Sequence, residues 1–383
     1  PEEALAHLAD HAVNAAAGRA KITAPWSDVL RWIERSPEYR PRIDAVRAGL
    51  AFPSKLGREK ISPEFIERLT DFAVSPSQIE RYSRCRFSWL MGSALKLGER
   101  RIHELDPRSF GDIYHELLMG YGERVNKNSA WETVTREECA DMIRELYDRI
   151  APRYREGLLK SPGGLTEYKA ERITNVAAGV AWAVTNQVRG SDIAEMFFEA
   201  AFGRNAPFAP IEIETGTAGE NITIGGRIDR VDIRRGEDGE NAVITDYKSG
   251  SDEFSPDDVR GGWQLQLLLY LLAVSGKYRP GGVHYFGISE PHIEDKGRGD
   301  EYLEKELARS FKPKGSDAET NLEELMDSVR VRLRDLAAAL HTGSASARPM
   351  TAKKLKPGTN LPLRACTYCN FKGICGYDPT ISR

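Results

Sequence analysis

Gly226-Arg227-Ile228-Asp229-Arg230-Val231-Asp232, followed by Ile244-Thr245-Asp246-Tyr247-Lys248-Ser249-Gly250, sets two carboxylates and a lysine on neighbouring stretches of alternating sequence. β-branched and polar residues alternate from Asn221 to Ile233 and again from Ala242 to Tyr247, with Arg235-Gly236-Glu237-Asp238-Gly239-Glu240 between them. Two period-2 segments joined by a Gly- and Asp-rich turn read as a β-hairpin. Asp229 and Asp246 can then lie side by side across the strands, and Lys248, two residues beyond Asp246, shares their face. An Asp-x-Lys taken alone is a common strand end. Here it ends an apolar strand one hairpin after another acid, a pattern suited to hard divalent cations, which prefer carboxylates, waters and phosphate oxygens. An ion held there lowers the pKa of a bound water and neutralises charge on a phosphoryl group. Lys248 would orient the attacking water or meet the charge that develops on phosphorus.

Composition narrows the setting. With 383 residues and 40% hydrophobic content, the chain can bury the core of one large α/β domain with an appendage, or of two domains. No apolar run approaches the roughly eighteen residues of a membrane span. The chain opens on Pro1 without a signal peptide, which reads as a processed product or a piece of something longer, located in the cytoplasm. A net charge of −3 gives no global attraction to nucleic acid, so contact with DNA has to come from local basic groups. Candidates are Arg81, Arg84, Arg86, Lys96, Arg100 and Arg101, and separately Arg348, Lys353, Lys354, Lys356 and Arg364; either group also reads as an ordinary solvated face.

Five cysteines occur, and the last three spell Cys366-Thr-Tyr-Cys369-Asn-Phe-Lys-Gly-Ile-Cys375. An odd count without a secretory signal argues against a disulfide framework and for metal. Cys-x₂-Cys spacing lets two thiolates face one centre, Gly373 lets the loop fold back, and Cys375 supplies a third ligand. A closed site needs a fourth, from Cys85 or Cys139. Cys85, in Tyr82-Ser83-Arg84-Cys85-Arg86-Phe87, is the better candidate, because Cys139 sits in an ordinary helical pattern and reads as a partly buried helix residue. Four thiolates suit tetrahedral zinc or an iron–sulfur cluster, and spacing does not choose between them.

Residues 1 to about 70 read as helix-rich and interrupted by prolines, without a catalytic constellation. Ser75-Pro76-Ser77-Gln78-Ile79-Glu80 opens a helix with a proline in its first turn and a Ser-x-x-Glu capping box, and this helix is expected to carry Cys85, Phe87 and Trp89. Periodicity predicts helices near 108–126, 135–152 and 165–190, strands from about 195 to 248, and a helix from Pro256 through Trp263 to Ser275. A strand from Val283 to Ser289, a charged loop at 290–301 and a long helix near 319–341 follow. Gln266 and Tyr270 share a helix face at i, i+4. His115, one turn after Gly111, reads as an ordinary helix histidine unless the two carboxylates lie opposite it. Glu199 is an acid in the apolar run Phe197-Phe198-Glu199-Ala200-Ala201-Phe202, and burying it costs several kcal/mol unless it is paired or metal-bound, so it is expected at a sheet edge or near the metal.

Taken in order, Gly111-x-x-x-His115, Glu199, Gly-Arg-Ile-Asp229-Arg-Val-Asp, Asp246-Tyr-Lys248 and Gln266-x-x-x-Tyr270 resemble the motifs of the RecB-type PD-(D/E)XK nucleases. Ile79-Glu80-x-Tyr82-x-x-Cys85-x-Phe87, with the C-terminal cysteine run, is similar to the iron–sulfur branch of that family and most of all to AddB-type nuclease regions, over about residues 74 to 378. The proline usual before the first acid is absent; this branch writes Gly-x-x-Asp there. The resemblance implies an α/β restriction-endonuclease-like core, a central mixed sheet flanked by helices, stapled by an iron–sulfur cluster. It implies a helical segment over 1–73 and a nuclease domain over 74–383. Asp229, Asp246 and His115, with Glu199 less securely, would bind Mg²⁺ or Mn²⁺, and Lys248 would be the catalytic lysine beside Gln266 and Tyr270. Cys85, Cys366, Cys369 and Cys375 would hold a [4Fe-4S] cluster, with zinc as the alternative.

The implied activity is hydrolysis of one DNA strand, as an exonuclease in double-strand-break repair and recombination. No Gly-x-x-x-x-Gly-Lys-Ser/Thr phosphate loop occurs, so translocation would need an AddA-like helicase partner. Two other readings stay open: a stand-alone iron–sulfur nuclease of CRISPR-associated or replication type, and a non-catalytic DNA-binding scaffold.

Overall fold

The alternating stretch around Asp229 forms the expected hairpin with the strand that carries Asp246, while its first residues join a second sheet. In a computed structural model of the chain, the described residues are 3–4, 7–8, 11–12, 15, 21, 23–51, 60–98, 107–154, 164–217, 220–236, 239–248, 254–288, 310–311, 317–347, 349–350 and 364–375. The strands are β1 (Ala73–Val74), β2 (Ile193–Phe202), β3 (Ile211–Glu214), β4 (Asn221–Ile224), β5 (Gly226–Gly236), β6 (Gly239–Lys248), β7 (Arg279–Gly287) and β8 (Ser310–Phe311). A five-stranded sheet runs β2-β5-β6-β7-β8 and a three-stranded one β1-β4-β3. The β5–β6 pair is antiparallel and closes at Gly236 opposite Gly239, whereas β6 and β7 are parallel. A parallel pair needs a crossover connection. The helices Pro256–Gly261 and Gln266–Val274 provide it.

The stretch expected as one strand from Asn221 to Ile233 breaks at Gly225. Its first part pairs with β3 in the small sheet, and its second part pairs with β2 and β6 in the large one. A Cβ on Gly225 would sit 3.2 Å from the Phe202 carbonyl oxygen, and one on Gly226 would sit 3.2 Å from Pro76 Cδ, so side chains at the switch would press on their neighbours. The helix expected from Pro256 to Ser275 is also split. Gly262, at φ 85°, ends its first piece in the left-handed conformation.

The chain comprises two compact units. The larger comprises Pro63–Ser83 and Gly98–His341. Its helices Pro107–Lys127, Arg136–Ile150 and Gly164–Val188 lie close to the expected spans, and Ile113, Leu117, Ile143 and Val180 pack with Met196, Tyr247 and Phe286 of the sheet. Leu267, Leu268, Leu269 and Leu271 are all fully buried, as a helix that is apolar all round requires. That helix packs against β6, β7 and the long helix Asp317–His341. No helix among the described residues is long and apolar enough to cross a membrane.

The smaller unit comprises Pro1–Ser62, Arg84–Leu97 and Thr342–Arg383. Helices Ala24–Arg35 and Arg40–Ala51 share a core of Leu8, Ile33 and Ile43. Phe87, Ala347 and Phe371 form another core, with Cys85, Cys369 and Cys375 packed on it. The helix Pro76–Arg84 stops before Cys85, contrary to expectation; Cys85 is extended at φ −164° and ψ 114° and precedes a separate helix, Arg86–Trp89. The expected loop at 290–301 lies outside the described residues.

One buried ion pair backs the central motif. Arg230 donates from Nε to Asp232 Oδ1 at 2.7 Å and from Nη2 to Oδ2 at 2.6 Å, while Nη1 reaches Gln187 Oε1 at 3.2 Å, tying β5 to the helix Gly164–Val188. Both charged residues are fully buried. Removing one partner leaves the other charge unpaired away from water, which costs about 3–5 kcal/mol. Asp232→Ala is therefore expected to lose about that much stability in urea unfolding; a change below about 1 kcal/mol would show that the pair is not a structural anchor.

Candidate metal centre and active site

Strand register sets three carboxylates in a row. Arg230 pairs with Thr245, so one step along the ladder puts Asp229 opposite Asp246. Phe198 pairs with Arg230 and Ala200 with Ile228, which puts Glu199 opposite Asp229 on its other side. Directly opposed residues point to one face, and Lys248 joins them by the period-2 rule. Glu199 itself stands at φ +45°, in the left-handed region, inside a strand. For a residue with a side chain that conformation is strained, and such strain concentrates at functional sites.

His115, from the helix Pro107–Lys127, completes the cradle. Its Nδ1 lies 3.3 Å from Asp229 Oδ2, and its Nε2 is 3.1 Å from the Tyr247 carbonyl oxygen, to which it donates. With the proton on Nε2, the neutral ring leaves Nδ1 as a lone-pair donor facing the carboxylates. The Tyr247 amide in turn donates to Asp229 Oδ2 at 2.7 Å. One ligand atom from each of His115, Glu199 and Asp229 lies within 4.8 Å of the others. Oxygen atoms and an imidazole nitrogen suit a hard or borderline divalent ion.

Burial and mutual charge perturb every group of the cradle whose shift is resolved. Burial and the neighbouring charge of Asp229 push the Asp246 carboxyl up to about 7, although Lys248 and His115 oppose them. Burial, then Asp229, raises Glu199 as well. Burial alone would lower His115, but the hydrogen bond and charge of Asp229 outweigh it and raise the imidazole. Lys248 Nζ sits 2.6 Å from Asp246 Oδ2, a close charge-assisted contact. Burial would lower that lysine too; the charge of Asp246 raises it instead. Lys248 Nζ also donates to Gln266 Oε1 at 3.3 Å, and Gln266 Nε2 donates to the Tyr270 hydroxyl oxygen at 2.6 Å. The i, i+4 pair thus faces the lysine. Burial, then the charges of Asp246 and Asp229, raises Tyr270, which keeps it a neutral phenol.

The profile of the PD-(D/E)XK nuclease superfamily matches residues 73–376. The chain belongs to that superfamily. The α/β fold with mixed sheets flanked by helices agrees with it. Among curated proteins, the B-type subunit of the ATP-dependent helicase/deoxyribonuclease of Thermoanaerobacter sp. (strain X514) is 29% identical over 94% of this chain and 34% of its own length. The protein of the same name from Acetivibrio thermocellus is 29% identical over 94% of the chain and 35% of its own length. That of Alkaliphilus oremlandii is 32% identical over 76% of the chain and 26% of its own length. The chain thus spans about a third of the length of the curated relatives it matches.

Beside the residues that give the superfamily its name stands one that sequence reasoning misplaced. The capping box of the helix Pro76–Arg84 is formed by Ser75 and Gln78: the Ser75 amide donates to Gln78 Oε1 at 3.0 Å and the Gln78 amide to Ser75 Oγ at 3.3 Å. Glu80, expected as the capping acid, instead accepts from the amides of Leu265 and Gln266 at 2.9 and 3.1 Å. An acid beside Ile79, on the inward side of that helix, was the available signal, but no local rule names its distant partners.

The cysteines fall into two sets. Cys139 is buried in the helix Arg136–Ile150, with its thiol pushed up to about 11 by burial and 3.7 Å from the Ala178 carbonyl oxygen. Cys85, Cys369 and Cys375 pack on one apolar core. Burial, then the charges of Cys85, Cys369 and Cys375, pushes Cys366 up to about 11. Among the described residues, no three of these sulfurs lie within 4.8 Å of one another. A single tetrahedral zinc with bonds of about 2.3 Å would hold them roughly 3.8 Å apart. Of the basic groups, Arg86 donates to Ser344 Oγ at 2.6 Å, while Arg100, Arg101, Arg348, Lys353, Lys354 and Lys356 lie outside the described residues.

Proposed function

We propose that this chain is the nuclease region of an AddB-type subunit, a Mg²⁺- or Mn²⁺-dependent deoxyribonuclease that hydrolyses one strand of DNA. It acts as an exonuclease in double-strand-break repair and recombination, in the cytoplasm, beside an AddA-like helicase partner. The observation that carries this reading is the row Glu199–Asp229–Asp246, closed by His115 on one side and Lys248 on the other. The names of the relatives support the choice of DNA as substrate and of a helicase–nuclease as the setting. The start of the family match at residue 73 supports a nuclease domain over 74–383 preceded by a helical segment over 1–73.

His115, Asp229 and Asp246, with Glu199, would hold the divalent ion. When bound, it supplies charge neutralisation at the scissile phosphate and a water of lowered pKa. Asp229 is oriented by the Tyr247 amide, and the same residue's carbonyl oxygen orients His115. Lys248, held between Asp246 and Gln266, is fixed where its ammonium can orient the attacking water and meet charge developing on the phosphoryl oxygens. The hydrogen bond from Gln266 to Tyr270 limits the orientations of the Gln266 amide and thereby of the lysine.

Cys85, Cys366, Cys369 and Cys375 would ligate a [4Fe-4S] cluster. The apolar core shared by Cys85, Cys369 and Cys375 and the mutual electrostatic influence of the four thiols support this, with zinc as the alternative. Binding free energy at such a site is also folding free energy, so the cluster would act as a staple.

Asp246→Ala and Lys248→Ala are each expected to lower metal-dependent cleavage of end-labelled DNA at least about 100-fold while DNA affinity by fluorescence anisotropy is retained. Full activity in either variant would remove the assigned site. For the cluster, anaerobically purified protein is expected to be brown, with visible charge-transfer absorbance that Cys369→Ser loses. A colourless protein carrying stoichiometric zinc would contradict the iron–sulfur assignment.

A further inference from the structure

The helix Gln266–Val274 starts without a cap of its own. Leu265, its N-cap residue, has helical backbone angles and no side-chain cap, yet the first amides of a helix need acceptors. Glu80 supplies one oxygen to two of them: Oε2 accepts from Leu265 N at 2.9 Å and from Gln266 N at 3.1 Å. The acid is 9% exposed and comes from the helix Pro76–Arg84, far away in sequence. A carboxylate at a helix N-terminus is favoured by the helix dipole, and its hydrogen bonds are strengthened by the charge. Gln266 is anchored through its backbone by Glu80, and its side chain accepts from Lys248 and donates to Tyr270.

We propose that Glu80 is a positioning residue, fixing the first turn of the helix Gln266–Val274 so that Gln266 holds the Lys248 ammonium in register with Asp246. This rests on the nuclease reading above. Its bonds to the Leu265 and Gln266 amides make Glu80 act on the site through Gln266. Its negative charge also reaches Lys248, beside the larger effect of Asp246, and so works in the same direction as its hydrogen bonds.

The test is a double-mutant cycle on the full chain, with cleavage kinetics of Glu80→Ala, Glu80→Gln, Gln266→Ala and the two combined variants. Small misplacement of a reacting group costs up to about 100-fold, so Glu80→Ala is expected to lower kcat about 10- to 100-fold with KM for DNA little changed. Glu80→Gln keeps an acceptor oxygen and is expected to recover most of that loss. With Gln266 already Ala, removing Glu80 is expected to cost less than about twofold more, because residues acting through one another do not combine independently. Hydrogen exchange at the Leu265 and Gln266 amides gives a readout that does not require turnover; it is expected to quicken in Glu80→Ala and to stay slow in Glu80→Gln. Should Glu80→Ala fail to fold, the same cycle is run with Glu80→Gln, whose smaller loss is still expected to vanish in the Gln266→Ala background. A loss that multiplies undiminished in that background, or unchanged exchange at both amides, overturns the role of Glu80 alone. Absence of any Asp246-dependent cleavage by the unsubstituted protein removes the nuclease reading itself, and this role with it.

Discussion

Mutual repulsion among Glu199, Asp229 and Asp246 is the constraint around which this site is built. The pairings of β2, β5 and β6 force the three acids onto one face of adjacent strands, and burial, complete at Asp246 and partial at Glu199 and Asp229, limits the water that would screen them. Left uncompensated, such a row would protonate or spread apart. Lys248 answers part of the charge and His115 part of the geometry, and the negative charge that remains would suit a divalent cation. The left-handed backbone of Glu199 shows that strand packing, not local preference, places it there.

Strand β5 serves two purposes by alternation. Asp229 faces the cradle, while Arg230 and Asp232 point the other way into a buried, two-toothed ion pair. That pair ties the strand to the helix Gly164–Val188 through Gln187, so the strand that carries Asp229 is held from behind by charges that take no part in the cradle. Across the sheet, the helix Gln266–Val274 is buried on all sides and cannot move without disturbing β6 and β7. A rigid helix is what a Gln266–Lys248 contact requires, and the Glu80 carboxylate fixes its open end.

Much of this was legible in the chain itself. Period-2 alternation disclosed the strands of the central motif, and the two acids and the lysine share a face for that reason alone. Helical periodicity found the three long helices because their apolar faces are long and regular. What escaped depends on contacts between distant segments. The strand switch at Gly225 follows from the closeness of Phe202 and Pro76, not from the alternation, which runs on through it. The break at Gly262 rests on a left-handed backbone that neither the helix start at Pro256 nor the apolar run after Trp263 announces. Glu80 sits where a capping acid would belong, but Gln78 forms that cap, and the carboxylate is directed to a helix 186 residues further on. The ion pair of Arg230 and Asp232 went unread as well, because it is closed by Gln187 from a distant helix.

The claim that the carboxylate row is a divalent-ion site is tested most directly by diffraction from crystals soaked in Mn²⁺, using the ion's anomalous signal. The expected result is one strong peak with His115 Nδ1 and carboxylate oxygens of Asp229 and Asp246 at coordination distances of about 2.1–2.3 Å, with Glu199 completing the shell. A cradle without a peak at saturating Mn²⁺, or ions bound only elsewhere on the chain, would contradict it.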